Sequence, residues 1–200
     1  MSKKVIGVIG GAGSGKSEVL KIMEKSYNAQ IIMADEVARA LQQPGQAPYE
    51  QIVNVFGSGI LCPDQTINRQ ALASIVFNDT QQLKKLNDIV HPAVRRRIEQ
   101  LILQSRCPVV VLEAALLVEC GYRGLCDEFW FVRTSARVRR ERLKQTRNYS
   151  DEKIDALMKN QLSDEEFIKN SDRVIENNST VEALEKEIAA AMHHLYAQPE

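Results

Sequence analysis

The segment that most constrains this chain is a glycine-rich motif close to its N-terminus. Residues 10–17 read Gly-Gly-Ala-Gly-Ser-Gly-Lys-Ser, which has the G-x-x-x-x-G-K-S spacing of a phosphate-binding loop. An apolar run, residues 5–9, precedes the motif, and a helical pattern with apolar Val19, Leu20, Ile22 and Met23 follows it. A buried strand, a tight turn and a helix are the context that such a loop requires. We therefore expect the chain to bind a nucleoside triphosphate.

Each residue type in the motif has a physical role toward phosphate. Glycines let the backbone curl until its N–H groups point at an anion, and the helix N-terminus adds partial positive charge. Lys16 is the predicted catalytic cation on the β- and γ-phosphates, and the Ser17 hydroxyl is the predicted Mg²⁺ ligand. The alternative is a turn that binds nothing, which the strand, lysine and serine in register disfavour. The predicted nucleotide-binding set is Gly11, Ala12, Gly13, Ser14, Gly15, Lys16 and Ser17.

Composition excludes several other classes. The 200 residues include 26 Lys plus Arg and 26 Asp plus Glu, so the chain lacks the overall basic excess typical of nucleic-acid-binding proteins. Its four cysteines have no C-x-x-C pairing, and we interpret them as reduced thiols in the cytoplasm. No secretory leader or membrane-length apolar run is visible. We expect a cytoplasmic protein without nucleic-acid or membrane partners, and a monomer, with an oligomer left open.

Short apolar runs alternate with helical patterns along the chain. The runs are residues 5–9, 31–33, 109–112, 129–132 and 174–175. This alternation predicts an α/β fold with a five-stranded parallel sheet, helices on both faces and a ligand beyond the carboxyl ends of the strands.

Two connections are too long for simple crossovers. We predict a single domain with a core of residues 1–34, 105–135 and 171–200, a helical insertion of about 35–104 and a lid of about 136–170. The last helix of the insertion is predicted to run from about Pro92 to Gln104, because proline suits a first helical turn. The spacing of Ser163 and Glu166 predicts a capping box at one lid helix.

The layout favours one class of phosphate-loop protein. A guanine-nucleotide switch needs an N-K-x-D segment and usually D-x-x-G, and neither string occurs here. An insertion and a lid instead suit a small-molecule kinase, in which one segment holds the acceptor and another closes over ATP to exclude water.

The ordered motifs identify a family. The chain resembles the dephospho-coenzyme A kinases along nearly its full length, in segments 10–17, 35–39, 44–45, 86–87, 91–92, 116–119 and 172–178. The resemblance implies a three-layer P-loop kinase fold and ATP-dependent phosphorylation of the ribose 3′-hydroxyl of dephospho-coenzyme A. The products would be coenzyme A and ADP, in the last step of coenzyme A synthesis, with Mg²⁺.

The resemblance also implies roles for residues outside the loop. It implies contact with dephospho-coenzyme A for Asp35, Arg39, His91, Leu117 and Glu119, and contact with ATP for Arg147 and Asn177. The chain departs from the family pattern at Met33, Glu113 and Ala115, which replace two acids and a proline, and at Thr146, where the family has arginine and Arg147 follows.

Asp35 has two interpretations on the residues alone. It is either the catalytic base for the ribose hydroxyl or an N-cap for a helix from residues 36 to 41. The resemblance favours catalysis. Arg39, one helical turn further, either clamps substrate phosphate or forms an exposed i,i+4 ion pair with Asp35.

The arginines between residues 133 and 147 form either a solvated helix face or a charge clamp on the transferring phosphoryl group. Among Arg140, Arg142 and Arg147, we expect Arg142 to be catalytic. Two further functions stay open: a kinase for another small metabolite or nucleoside monophosphate, and an ATP-dependent regulatory module.

Overall fold

The structure is a computed structural model that describes residues 3–77, 79–114 and 121–197. Its strands are β1 (Lys4–Ile9), β2 (Ala29–Met33), β3 (Val109–Glu113), β4 (Glu128–Arg133) and β5 (Arg173–Glu176). Its helices are α1 (Lys16–Tyr27), α2 (Ala34–Leu41), α3 (Ala47–Phe56), α4 (Arg69–Val76), α5 (Thr80–Gln104), α6 (Ala136–Arg147), α7 (Asp151–Lys159), α8 (Asp164–Lys169) and α9 (Val181–Ala197), with 3₁₀ turns at Ser58–Ile60 and Tyr122–Leu125. Each apolar run that predicted a strand forms one.

The strands form one sheet in the order β2-β3-β1-β4-β5. Strand β1 pairs in parallel with β3 and with β4, and β4 pairs in parallel with β5. The central strand therefore ends at the phosphate loop, and its carboxyl end is flanked by the carboxyl ends of β3 and β4. This is the edge at which open α/β sheets bind ligands.

Helices cover both faces of the sheet, because successive side chains of a strand point to opposite sides. On β4, Trp130 and Val132 are fully buried in a core that also contains residues of α1 and α9. The intervening Phe131 stacks on Phe167 of α8, with ring centroids 4.8 Å apart. The predicted doubly covered parallel sheet is confirmed.

The chain divides into two compact units, Met1–Ile31 with Ser105–Glu200 and Ile32–Gln104. The first unit contains the phosphate loop and helices α6 to α8. The second contains α2 to α5 around a small core of Ile52, Ile60 and Leu72. The predicted division into core, insertion and lid stays a prediction.

The predicted start of the last insertion helix at Pro92 is wrong. Helix α5 begins at Thr80 and continues through Pro92 to Gln104. An internal proline removes one backbone hydrogen bond and costs about 3 kcal/mol. Packing on both sides of it offsets this cost: Leu86, Ile89 and Val90 lie against the small core, and Ala93, Val94 and Ile98 are buried beyond the proline.

Three further predictions can be compared with the structure. Among the helices that the structure describes, none is both long and apolar enough to cross a membrane. Cys62, Cys107 and Cys126 are free thiols, as predicted, and Cys120 lies outside the described residues. The capping box is confirmed, because Ser163 and Glu166 exchange side-chain and backbone hydrogen bonds at the start of α8.

Candidate active site

The phosphate loop curls tightly between β1 and α1 because two of its glycines adopt left-handed backbone. Gly13 has φ +76° and Gly15, the N-cap of α1, has φ +87°. A Cβ at Gly13 would lie 2.9 Å from the carbonyl oxygen of Arg139, and a Cβ at Gly15 would lie 2.1 Å from Asn177 Nδ2. Glycine is therefore required at both positions for two independent reasons, backbone conformation and close packing.

Lys16 places its ammonium group inside the loop. Its Nζ donates to the carbonyl of Gly10 at 2.8 Å and lies 3.6 Å from Oε1 of Glu113. Burial lowers the pKa of Lys16, the Glu113 carboxylate opposes that shift, and the guanidinium groups of Arg139 and Arg147 lower the pKa further. The ammonium group thus has one carboxylate and two guanidinium groups in its surroundings, and a bound polyphosphate would favour its charged form.

Ser17 is exposed at the second position of α1. The first N–H groups of a helix have no intrahelical acceptor, so the Lys16 and Ser17 amides are donors for an anion. Within the described residues, no group of three or more His, Cys, Asp or Glu side chains could hold a metal ion. A cation here would draw mainly on ligand oxygens and water, which suits Mg²⁺.

Side chains from the C-terminal half of the chain hold the Ser14 carbonyl from outside the loop. Its oxygen accepts from Asn177 Nδ2 at 2.8 Å, from Thr134 Oγ1 at 2.9 Å and from Arg142 Nη1 at 3.4 Å. Asn177 is buried, and its amide oxygen is 3.4 Å from Arg142 Nη2. The loop, Arg142 and Asn177, all predicted from the sequence, therefore meet at one peptide group.

Arg139 and Gln161 hold the two peptide groups on either side of the Ala12 Cα, and neither residue is distinguished by a sequence motif. Arg139 Nε donates to the carbonyl of Ala12 at 2.9 Å, and Gln161 Oε1 accepts from the amide of Ala12 at 3.1 Å. Arg139 belongs to an arginine-rich run in which the sequence alone gives each member the same weight. Only helical periodicity, which places residues 139, 142 and 143 on one face, could have distinguished it.

The remaining arginines of α6 differ in their partners. Arg140 is ion-paired with Asp151 at 2.7 Å and with Asp155, both on α7. Arg147 is exposed at the end of α6, and its guanidinium carbon lies 6.0 Å from the centroid of the Tyr149 ring. Of the three arginines considered for the phosphates, Arg140 is thus the one whose charge carboxylates already neutralise.

Three of the residues predicted to contact dephospho-coenzyme A, Asp35, Arg39 and His91, belong to the second compact unit. Asp35 and Arg39 are exposed on α2, and His91 is exposed on α5 beside Pro92. The capping alternative for Asp35 is wrong, because α2 begins at Ala34, two residues before the predicted start, and its N-cap is Met33, which makes no side-chain capping bond. The ion-pair alternative for Arg39 is also wrong, since the ion pairs of the described residues do not include one between Asp35 and Arg39.

The end of β3 and the segment that follows it contain two residues predicted to contact the acceptor and one residue, Glu113, for which no role was predicted. Leu117 and Glu119, expected to contact the acceptor, lie outside the described residues. Glu113 was noted in the sequence only as a replacement of a family acid. It ends β3 directly beside the phosphate loop and is the carboxylate nearest to Lys16 among the ion pairs described.

The fold and the loop geometry define a class, the P-loop small-molecule kinases. Shikimate kinase from Aquifex aeolicus shares the fold, with a TM-score of 0.53 and 16% identity over 98% of this chain and 99% of that chain. Higher similarity is found to the Thermus thermophilus protein TT1252, with a TM-score of 0.82, 29% identity and coverage of 98% and 99%. Dephospho-CoA kinase from Campylobacter jejuni gives a TM-score of 0.69 at 25% identity, covering 96% and 97%.

Sequence comparison narrows the class to a family. A sequence model of the family described as dephospho-CoA kinase matches residues 4–183. Dephospho-CoA kinase from Geobacter sulfurreducens is 38% identical over 92% of this chain and 94% of its own length, and that from Geobacillus kaustophilus is 37% identical over 94% of each. The chain belongs to the dephospho-CoA kinase family, kinases of the final step of coenzyme A synthesis. The family, enzyme class and reaction expected from the sequence are confirmed.

Proposed function

We propose that this chain transfers the γ-phosphoryl group of ATP to the ribose 3′-hydroxyl of dephospho-coenzyme A, giving coenzyme A and ADP. The observation that carries the proposal is the Lys16 ammonium, half-buried inside a loop with left-handed glycines, where the guanidinium groups of Arg139 and Arg147 lower its pKa and Glu113 lies 3.6 Å away. Such an arrangement matches the charge and the size of a triphosphate.

Lys16 and the loop amides bind the triphosphate in this proposal. Lys16 exchanges its hydrogen bond to Gly10 for one to a phosphate oxygen, and the Glu113 carboxylate keeps the ammonium oriented. Arg142 contributes positive charge to the oxygens on which negative charge builds during transfer. Arg147 and Asn177 complete the nucleotide contacts.

Ser17 would hold Mg²⁺ through its exposed hydroxyl. When bound, the ion neutralises and orients the β- and γ-phosphate oxygens. Since the described residues contain no cluster of three or more His, Cys, Asp or Glu that could hold a metal, phosphate oxygens and water would be the other ligands of the ion.

Asp35 is the proposed base. The 3′-hydroxyl oxygen forms a bond to the γ-phosphorus, the bond from phosphorus to the bridging oxygen breaks, ADP leaves, and the hydroxyl proton passes to the Asp35 carboxylate. Met33 brings no carboxylate to this segment, so Asp35 carries the role alone. Arg39, His91, Leu117 and Glu119 are the proposed contacts to dephospho-coenzyme A.

The zero net charge and the free described cysteines support a cytoplasmic enzyme without nucleic-acid or membrane partners. We propose a monomer as the working form. Sedimentation of the purified protein tests this directly.

The test of the reaction is ADP release with Mg-ATP and dephospho-coenzyme A, with the phosphorylated position of the product assigned by NMR. Shikimate and AMP as acceptors test the other kinase functions, and ADP release that does not depend on any acceptor would support a regulatory module. Transfer to either alternative acceptor in preference to dephospho-coenzyme A would overturn the proposal.

The role of Asp35 is tested by Asp35→Asn, with Glu36→Gln as the matched control. Both side chains are exposed in the first turn of α2, so the two variants remove one negative charge from the same helix end. General-base loss lowers kcat by about 10²–10⁴ in Asp35→Asn alone. Equal kcat in the two variants would show that Asp35 is not the base.

A further inference from the structure

The peptide group that joins Ala12 to Gly13 accepts a hydrogen bond from a side chain outside the phosphate loop. Arg139 Nε donates to the Ala12 carbonyl at 2.9 Å, and Arg139 Nη2 donates to Gln161 Oε1 at 2.6 Å. The same Gln161 oxygen accepts from the Ala12 amide at 3.1 Å. Ala12, Arg139 and Gln161 thus form a closed set of three hydrogen bonds, which we name the Ala12 latch.

The hydrogen bond from Arg139 to the Ala12 carbonyl determines the direction of the Gly13 N–H. In a planar trans peptide, the C=O of one residue and the N–H of the following residue point in opposite directions. Because the Ala12 carbonyl faces Arg139, the Gly13 N–H faces away from Arg139. The Ser14 carbonyl, held by Asn177 and Thr134, orients the Gly15 N–H in the same manner.

Arg139 is an unusual side chain for a purely structural role. It is 9% exposed, and no carboxylate of the described residues lies within ion-pair distance of it. Burying a cation without a counter-charge is costly, and a neutral donor could make the same hydrogen bonds at lower cost. Arg139 also belongs to the charges that lower the pKa of Lys16. A polyanion in the loop would supply the counter-charge that Arg139 lacks within ion-pair distance and would add to that of Glu113 on Lys16.

The packing around Gly11 adds an independent constraint. A Cβ on Gly11 would lie 2.2 Å from Arg139 Nη2 and 2.7 Å from Gln161 Oε1. The loop backbone and the latch are therefore in direct contact, without space for an inserted side chain. The Arg139 and Gln161 side chains are therefore packed directly against the loop backbone at Gly11.

We propose that Arg139, held by Gln161, is a positioning residue that fixes the Gly13 N–H as a phosphate donor and so sets the affinity for the nucleoside polyphosphate. The latch joins α6 and the turn between α7 and α8 to the phosphate loop, so nucleotide affinity depends on residues of the predicted lid. This inference rests on the proposed function only in that the loop binds the phosphates of ATP and ADP.

The experiment is calorimetric titration of the whole protein with Mg-ADP, without acceptor. The variants are Arg139→Gln and Gln161→Leu, and Arg137→Gln is the control. Arg137 lies on the same helix, exposed and paired with Glu141, so its variant loses the same charge away from the loop. Loss of a buried charge-assisted hydrogen bond weakens ADP binding by about 10-fold in Arg139→Gln, whereas Arg137→Gln binds like wild type.

Three readouts separate positioning from a structural contribution. The KM for ATP rises in Arg139→Gln while the KM for dephospho-coenzyme A stays unchanged. Arg139→Lys, which keeps a charged donor, recovers part of the lost affinity. The double variant of Arg139 and Gln161 is less than additive, because the two side chains bond to each other and to the same residue, Ala12.

Equal ADP affinity of Arg139→Gln and Arg137→Gln would overturn the proposal. If Arg139→Gln does not fold, Gln161→Leu decides in its place, since Gln161 is only half-buried and its Oε1 accepts from both Arg139 and the Ala12 amide. A failure of the proposed function is distinguishable, because it appears in wild-type protein as ADP binding without transfer to dephospho-coenzyme A.

Discussion

Both faces of helix α6 carry arginines, and the two faces differ in the groups that these arginines contact. On the inner face, Arg139 and Arg142 donate to the carbonyls of Ala12 and Ser14 in the phosphate loop. On the outer face, the cationic side chains pair with acids: Arg137 with Glu141, Arg140 with Asp151 and Asp155, and Lys144 with Asp151.

The difference shows that the hydrogen-bond partners of an arginine determine whether its positive charge is available to a phosphate. A guanidinium paired with carboxylates at the surface has its charge neutralised and adds little stability. A guanidinium that meets only neutral carbonyls keeps its full charge, and a low-dielectric setting strengthens its attraction to a phosphate. We therefore expect the inner face to be the functional one. The largest test of this comparison is at Lys16, the loop cation whose pKa the inner-face Arg139 lowers.

Lys16→Ala is expected to have the largest effect. Removing the ammonium group leaves the inner arginines without the cation that engages the transferring phosphates. Losing one preorganised charge-stabilising donor costs about 10²–10³ in kcat, and we expect at least the upper value here. Lys21→Ala, which removes an exposed lysine of α1 paired with Glu18 at 3.4 Å, is the control. Comparable turnover in the two variants, both folded by circular dichroism, would contradict the kinase assignment of the loop.

Arg142→Gln is expected to lower kcat by about 10²-fold, which is the lower end for loss of a charge that stabilises a transition state. Glutamine can still donate to the Ser14 carbonyl, so the loop keeps its shape while the charge is lost. Steady-state kinetics with saturating ATP and dephospho-coenzyme A measure the effect. A kcat within twofold of wild type would move the catalytic charge to Arg147, at the end of the same helix.

Much of the fold could be predicted because buried parallel strands are continuous apolar runs. Residues 109–112 and 129–132 are all apolar, and the strands that contain them are only one or two residues longer than these runs. The phosphate loop was predictable for a different reason, since its geometry depends on glycine, lysine and serine at fixed spacing. Both signals are local in the sequence.

The signals that failed depend on distant residues. Pro92 indicates a helix start, and packing on both sides of it makes it an interior residue. Arg139 and Arg140 are adjacent in sequence, and their roles diverge only because Gln161 faces one and Asp155 the other. Helix periodicity indicates that the two arginines point in different directions, and it does not indicate which direction faces the loop.

The pH dependence of kcat/KM for ATP tests the inner face through Lys16. Because burial and nearby guanidinium groups lower the pKa of Lys16, the ammonium group titrates below the usual lysine range, and kcat/KM falls on the alkaline side accordingly. Arg139→Gln removes one lowering influence, so the pKa of Lys16 rises and the alkaline limb moves to higher pH. Arg140 is not among the charges that shift Lys16, and Arg140→Gln should leave the limb in place. If the alkaline limb moved equally in Arg139→Gln and Arg140→Gln, the shift would reflect the loss of any positive charge, and the inner and outer faces of α6 would not differ in their effect on Lys16.

Arg140→Gln is expected to have the smallest effect, and it tests the outer face itself. The substitution removes ion pairs that join α6 to Asp151 and Asp155 of α7. Surface ion pairs contribute little because water and salt screen them, so kcat and both KM values should stay within about twofold of wild type. The melting temperature should fall slightly at low salt, and the difference from wild type should shrink as salt is added, because screening already weakens these pairs in wild type. Thermal unfolding at low and high salt measures this, and steady-state kinetics on the same samples provide the activity. A large loss of kcat with an unchanged melting temperature would place Arg140 in the catalytic machinery and would show that carboxylate pairing does not mark an arginine as structural in this helix.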